Sequence, residues 1–179
     1  MFCTVVASGW SPVLTVHPPP PAFVPSQPDR SPRTGDDPAS SRIRIFIAED
    51  NDADIWIIRD ILQQHGLPFD LTVASDGQQA LRIIDNIDRE PAAPVFDIAL
   101  IDINLPRHTG HEVLARLRKC TRLERTPVVI VSSSESPRDV ERSTQLGANA
   151  YFRKPAVLDE YMKLGSLVEL LLRKPAGES

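Results

Sequence analysis

A chain of 179 residues, 41% of them hydrophobic, has enough apolar side chain to enclose one core of ordinary size. Its net charge of −4 lacks the basic excess that nucleic acid or an anionic membrane surface would call for, and no apolar run approaches the roughly 20 residues needed to cross a bilayer. Cys3 and Cys120 have neither metal-ligand spacing nor a disulfide pattern, and no Lys or Arg precedes Arg30 to supply the charged start of a secretory signal, so a soluble cytoplasmic protein is expected.

Residues 1–41 stand apart. Nine of the 17 prolines fall there, including "HPPPP" at 17–21, a density that blocks helix and sheet hydrogen bonding and favours extended polyproline II. We read this stretch as a flexible leader, and its PxxP match, Pro18 to Pro21, as linker rather than recognition motif.

From Arg42 onward apolar runs alternate with helical patterns. "RIRIFIA" (42–48) reads as a buried strand, and "DADIWIIRDILQQHG" (52–66) as a helix whose apolar face holds 55, 58 and 61–62 and which stops at His65-Gly66. Strand "FDLTVAS" (69–75) precedes helix "GQQALRIIDNIDRE" (77–90), and the apolar strand "VFDIALID" (95–102) precedes the amphipathic "GHEVLARLRKC" (110–120). A fourth strand, "TPVVIVSS" (126–133), leads to helix "SPRDVERSTQLG" (136–147), with Pro137 near its start and Gly147 past its end. Strand "NAYFR" (149–153) and helix "VLDEYMKLGSLVELLLRK" (157–174) close the series, although Gly165 weakens the last helix. Five strand–helix units of this spacing call for a parallel sheet wrapped on both faces, so an α/β domain is expected over 42–174 with a short tail at 175–179.

In such a sheet ligands bind at the carboxyl ends of the strands. Glu49-Asp50 follow the first strand, Asp102 ends the third, Ser132 to Ser134 end the fourth, and Lys154-Pro155 follow the fifth. Three carboxylates brought within a few ångströms repel one another by several kcal/mol unless a cation or proton intervenes. Hard oxygen ligands that leave room for water and a phosphoryl oxygen suit octahedral Mg²⁺. Lys154 and Ser132 are then placed to bind the remaining phosphoryl oxygens, and Asp102, alone on the middle strand, is the candidate nucleophile for an acyl phosphate.

At these residues the chain resembles the receiver domain of two-component response regulators over roughly 42–174. The motifs occur in order: "AEDN" for the acidic pair, "LIDINLP" for the phosphoacceptor, "VIVSSS" for the hydroxyl switch and "AYFRKP" for the lysine with its preceding aromatic. The resemblance implies a flavodoxin-like (βα)5 fold with strand order 2-1-3-4-5 and phosphorylation of Asp102 from a histidine kinase's phosphohistidine. It further implies Mg²⁺ held by Glu49, Asp50, Asp102 and the backbone carbonyl of Asn104. Ser132 moves to bond the phosphoryl group, Lys154 bridges it, Tyr151 swings inward as the aromatic switch, and Pro155 follows through a bond that is typically cis. Asn104 and Ser134 take positions that tune aspartyl-phosphate lifetime. "AEDNDADIWIIRDIL", "LTVASDGQQAL" and "LGANAYFRKPAVLDEY" are similar, more narrowly, to single-domain regulators paired with bacterial phytochrome kinases, a group in which the fourth helix, fifth strand and fifth helix often form a homodimer face.

Departures are small. His108-Thr109-Gly110 stands where the family often has Met-Asp-Gly, which keeps the glycine and a helix-capping side chain. Ser132 replaces the commoner Thr.

Several residues have plainer readings. Asp52 and Asp54 lie in a first helical turn, where the macrodipole favours acids. Trp56 reads as helix packing, His65 as a helix-end histidine, and His108 and His111 lack a third metal ligand. Leu158, Met162 and Leu164 fit either core or interface. With only five residues after position 174, the expected protein is a stand-alone receiver that signals through an unknown downstream protein: a phosphoacceptor rather than a metabolic enzyme, with no nucleic-acid or membrane partner. The alternative is a phosphorylation-independent interaction module on the same fold. A small-molecule phosphohydrolase would need a second acid where Asn104 stands, and no GxxxxGK[ST] marks a P-loop enzyme.

Overall fold

A computed structural model describes residues 42–173. The proline-rich leader and the tail expected at 175–179 lie outside them. Five strands, β1 (Ile43–Ala48), β2 (Phe69–Ala74), β3 (Ile98–Ile101), β4 (Val128–Ser132) and β5 (Ala150–Arg153), alternate with α1 (Asp52–Gln64), α2 (Gly77–Arg89), α3 (Gly110–Lys119), α4 (Pro137–Gln145) and α5 (Leu158–Arg173). All strand pairs are parallel and the order is β2-β1-β3-β4-β5, the doubly wound arrangement expected.

Strand alternation sends successive side chains to opposite faces. Phe46, Ala48, Ala99, Ile101, Val128 and Ile130 face α2 and α3, where Ala80, Ile84, Val113 and Leu117 complete one core. Ile45, Ile47, Ile98, Leu100, Val129 and Val131 face Ile58 and Leu62 of α1 and Leu164 and Val168 of α5. Of the three residues left open, Leu164 is therefore core, whereas Leu158 is 54% exposed. Trp56 corrects its expectation: it is 56% exposed rather than packed, because Ile58, Ile61 and Leu62 occupy the buried stripe of α1.

Helix starts follow local capping chemistry. The Asn51 side chain accepts the Ala53 amide at 2.9 Å, and that of Asp76 accepts the Gln79 amide at 2.8 Å. Thr109 and Glu112 form a reciprocal capping box on α3, so the threonine caps as expected. β3 begins later than the sequence pattern suggests. The Asp97 carboxylate takes the Arg44 amide at 2.7 Å, and regular pairing with β1 starts at Ile98.

Gly165 has a packing reason. His65 is the C-cap residue of α1, and its ring lies against the α5 backbone, Nδ1 3.0 Å from Glu169 Oε1 and Nε2 3.2 Å from the Met162 carbonyl. A Cβ at Gly165 would stand 2.2 Å from the ring. Gly165→Ala is expected to lower the unfolding free energy measured by urea titration by about 1–3 kcal/mol from overpacking, although helix propensity alone would favour alanine by about 1 kcal/mol.

Candidate functional site

The carboxyl ends of β1, β3 and β5 bring the expected charged groups together. In-register pairing of Ala48 with Ile101 puts Glu49 beside Asp102, since each follows its strand directly. The Asp102 amide bonds the Ala48 carbonyl at 2.9 Å, and the Lys154 amide bonds the Ser132 carbonyl at 2.9 Å, which continues the ladder into the site. The resulting cleft of about 620 Å³ is lined by Glu49, Asp50, Asp54, Asp102, Asn104 and Lys154, among others.

Lys154 is the centre of charge. Its ammonium donates to Asp102 Oδ2 and Glu49 Oε2, both at 2.7 Å, and to Asp54 Oδ2 at 2.9 Å, which uses all of its N–H groups. Burial alone would lower the lysine's pKa, but the bonds to these carboxylates carry it well above its ordinary value. For Glu49 the balance is reversed. Burial raises its carboxyl above the usual range and outweighs the pull of Lys154, because three acids share one ammonium while Asp102 adds repulsion.

Ligand oxygens of Glu49, Asp50 and Asp102 lie within 4.8 Å of one another, with Glu49 and Asp102 buried and Asp50 open to solvent. Such a convergent all-oxygen set fits a hard divalent cation such as Mg²⁺. Asn104 lines the same cleft, its amide donating to Asp102 Oδ1 at 3.1 Å. Gly110 makes this turn feasible: a Cβ there would fall 2.0 Å from the Asp102 carbonyl oxygen.

The hydroxyl side is arranged differently. Ser132 is fully buried at the end of β4, and its Oγ accepts the Ser134 amide at 3.3 Å. The Ser134 hydroxyl turns away from the cleft to Asp139 Oδ2 at 2.5 Å, and of these serines Ser133 lines the cavity. Tyr151 donates its hydroxyl to the Ser134 carbonyl at 3.0 Å, and burial pushes the phenol's pKa up. His111 is buried on α3 with Nε2 3.0 Å from Ser143 Oγ. The Lys154–Pro155 peptide is trans, against the cis bond that the resemblance suggested; trans is the lower-energy isomer of an X–Pro bond by about 0.5–1 kcal/mol.

Two site residues were not singled out from the sequence. Asp54 was read as a helix-start acid, yet its carboxylate reaches Lys154. Tyr161 of α5 lines the cleft, donates to Asp54 Oδ1 at 3.4 Å, and has its pKa pushed up to about 12 by burial and the adjacent Asp54 charge. The available signal was nearness along the chain: Asp54 lies in the first turn of α1, four residues after Asp50.

The doubly wound parallel sheet, with an acid cluster and a lysine at its strand ends, has the architecture of a response-regulator receiver. The chain belongs to that class: residues 45–164 match the response regulator receiver domain. Response regulator Rcp1 of Synechocystis is 30% identical over 125 residues, covering 70% of this chain and 85% of Rcp1. The structure of the phosphorylated cyanobacterial phytochrome response regulator RcpA is 32% identical with a TM-score of 0.67, covering 74% of this chain and 96% of RcpA. The Mn²⁺-bound form of Rcp1 is 28% identical with a TM-score of 0.66, over 74% of this chain and 96% of that one.

The direction of the Glu49 shift sets a prediction. An acid raised on folding stabilises the protein below its unfolded value near 4.5 and loses that contribution as pH rises. Glu49→Gln is therefore expected to raise the urea midpoint of metal-free protein at pH 7, with the gain fading as pH falls toward 4.5. A divalent cation held by Glu49, Asp50 and Asp102 would work against that gain, since at a hundred times its Kd it would stabilise the wild type by about 2.7 kcal/mol.

Proposed function

We propose that this receiver accepts a phosphoryl group on Asp102 from the phosphohistidine of a histidine kinase and thereby switches a protein–protein interaction. The observation that carries the reading is the setting of the Asp102 carboxylate, with Lys154 Nζ 2.7 Å from one oxygen and the Glu49–Asp50 pair within 4.8 Å. An Asp102 oxygen attacks phosphorus, the P–N bond breaks, and its electron pair leaves on the imidazole, which takes up a proton from solvent. Lys154 moves its ammonium from carboxylates that have lost charge onto the new phosphoryl oxygens, and Ser132 supplies a hydroxyl from β4. Glu49, Asp50, Asp102 and the Asn104 carbonyl would hold Mg²⁺, which when bound neutralises charge on the transferring group.

The switch is assigned to Ser132 and Tyr151, with Asn104 and Ser134 adjusting the lifetime. A Ser132 hydroxyl drawn toward the phosphoryl group would give up the Ser134 amide, and Tyr151 is bonded to that same residue's carbonyl. The output face is then α4, β5 and α5, where Val140 and Leu158 leave apolar side chains exposed for a downstream protein or a second copy of the chain. A stand-alone role and a phytochrome-type kinase are supported by the near-complete coverage of Rcp1 and RcpA, the latter named as a phytochrome response regulator.

Incubation with Mg²⁺ and acetyl phosphate, followed by a phosphate-affinity gel, tests the reading. A retarded band is expected for wild type and is lost in Asp102→Asn and on chelating Mg²⁺. A folded wild-type protein with no retarded band would favour an interaction module that works without phosphorylation.

A further inference from the structure

Asp54 is a carboxylate that the transfer reaction does not by itself require. It is held from two directions. Its Oδ2 accepts from Lys154 at 2.9 Å, and its Oδ1 accepts from Tyr161 at 3.4 Å. Tyr161 is 5% exposed and its ring packs 6.0 Å from that of Phe152 on β5, so the support comes from fixed core structure. Asp54 is not needed to start α1, because Asn51 caps the helix and Asp52 already places an acid in the first turn.

The need for Asp54 follows from counting acceptors. Lys154 has three, and two of them, Glu49 and Asp102, also belong to the triad that fits a divalent cation. A cation bound there takes up the charge of both carboxylates and repels the ammonium. Asp54 is outside the triad and is the acceptor left to the lysine alone.

We propose that Asp54 is a positioning residue that anchors the Lys154 ammonium while Glu49 and Asp102 are committed to the cation, so that the lysine stays beside Asp102 for the arriving phosphoryl group. The inference rests on the phosphoacceptor reading above. Without Asp54 the ammonium loses its metal-independent partner and turns toward solvent.

The full chain labelled with ¹⁵N-lysine in saturating Mg²⁺ tests this directly. A water-protected Lys154 ammonium resonance, assigned by its absence in Lys154→Met, is expected in wild type. It is lost to exchange in Asp54→Asn, returns in Asp54→Glu, and persists in Asp52→Asn, which removes the same charge from the same turn. Asp54→Asn is also expected to accept phosphate from acetyl phosphate about tenfold more slowly, the loss of one hydrogen bond to a charged group. A resonance retained in Asp54→Asn, an equal loss in Asp52→Asn, or an undiminished transfer rate would overturn the proposal. Failure of the wild type to accept phosphate would instead remove the phosphoacceptor reading, while the lysine resonance would still report on Asp54.

Discussion

One ammonium shared among three carboxylates organises this protein. Lys154 ties β5 to β1 through Glu49, to α1 through Asp54 and to β3 through Asp102. Its side chain is 9% exposed and that of Glu49 only 2%, so these charges have left most of their water behind. Desolvation of that kind costs several kcal/mol per ion, and a buried pair often does no better for stability than apolar residues of the same volume. The cluster is therefore better understood as retained chemistry than as a brace. The two apolar cores on either side of the sheet supply the stability that tolerates it.

The two sides of the cleft differ in how firmly they are built. On the acid side, β1 and β3 are central strands with buried residues on both faces, and Gly110 lets the following turn close against the Asp102 carbonyl. On the hydroxyl side, α4 has a single buried residue, Ser143, and is held by polar contacts: Ser143 to His111, Asp139 to Ser134, and Ser134 to Tyr151. Hydrogen bonds of this sort are each worth roughly 1 kcal/mol net, so their rearrangement lies within reach of a new charge at the strand ends. A rigid acid platform facing a loosely tethered helix is a suitable construction for converting a covalent event into a surface change.

Sequence pattern reached the architecture because it rests on local signals. Apolar runs bounded by caps such as Asn51, Asp76 and Thr109 place every element to within a few residues. The main site residues were legible for a related reason: parallel strands deliver whatever follows them to one edge. What escaped was long-range. Asp54 has an adequate local explanation as a helix-start acid, and its contact with Lys154 spans 100 residues of sequence. Trp56 reads as packing until the helix face is fixed, and Gly165 reads as a defect until His65, 100 positions earlier, is laid against it. Asp97 shortened β3 because a side chain took an amide that the strand pattern assigns to backbone.

The charge balance also argues for a cation in the chemistry. Glu49, Asp50, Asp54 and Asp102 with Lys154 leave three net negative charges when all are ionised. A phosphoryl donor brings further negative charge into the same cleft, where like charges at 4 Å repel by roughly 4 kcal/mol even with the screening typical near a protein surface. Lys154 cannot offset this, since each of its donors is already engaged. Glu49, Asp50 and Asp102 would hold a divalent ion, whose charge would offset two of the three negative charges and loosen the bonds of Glu49 and Asp102 to Lys154. On the proposed reading, the electrostatics favour a cation before the phosphoryl group, and the ammonium would follow onto the phosphoryl oxygens.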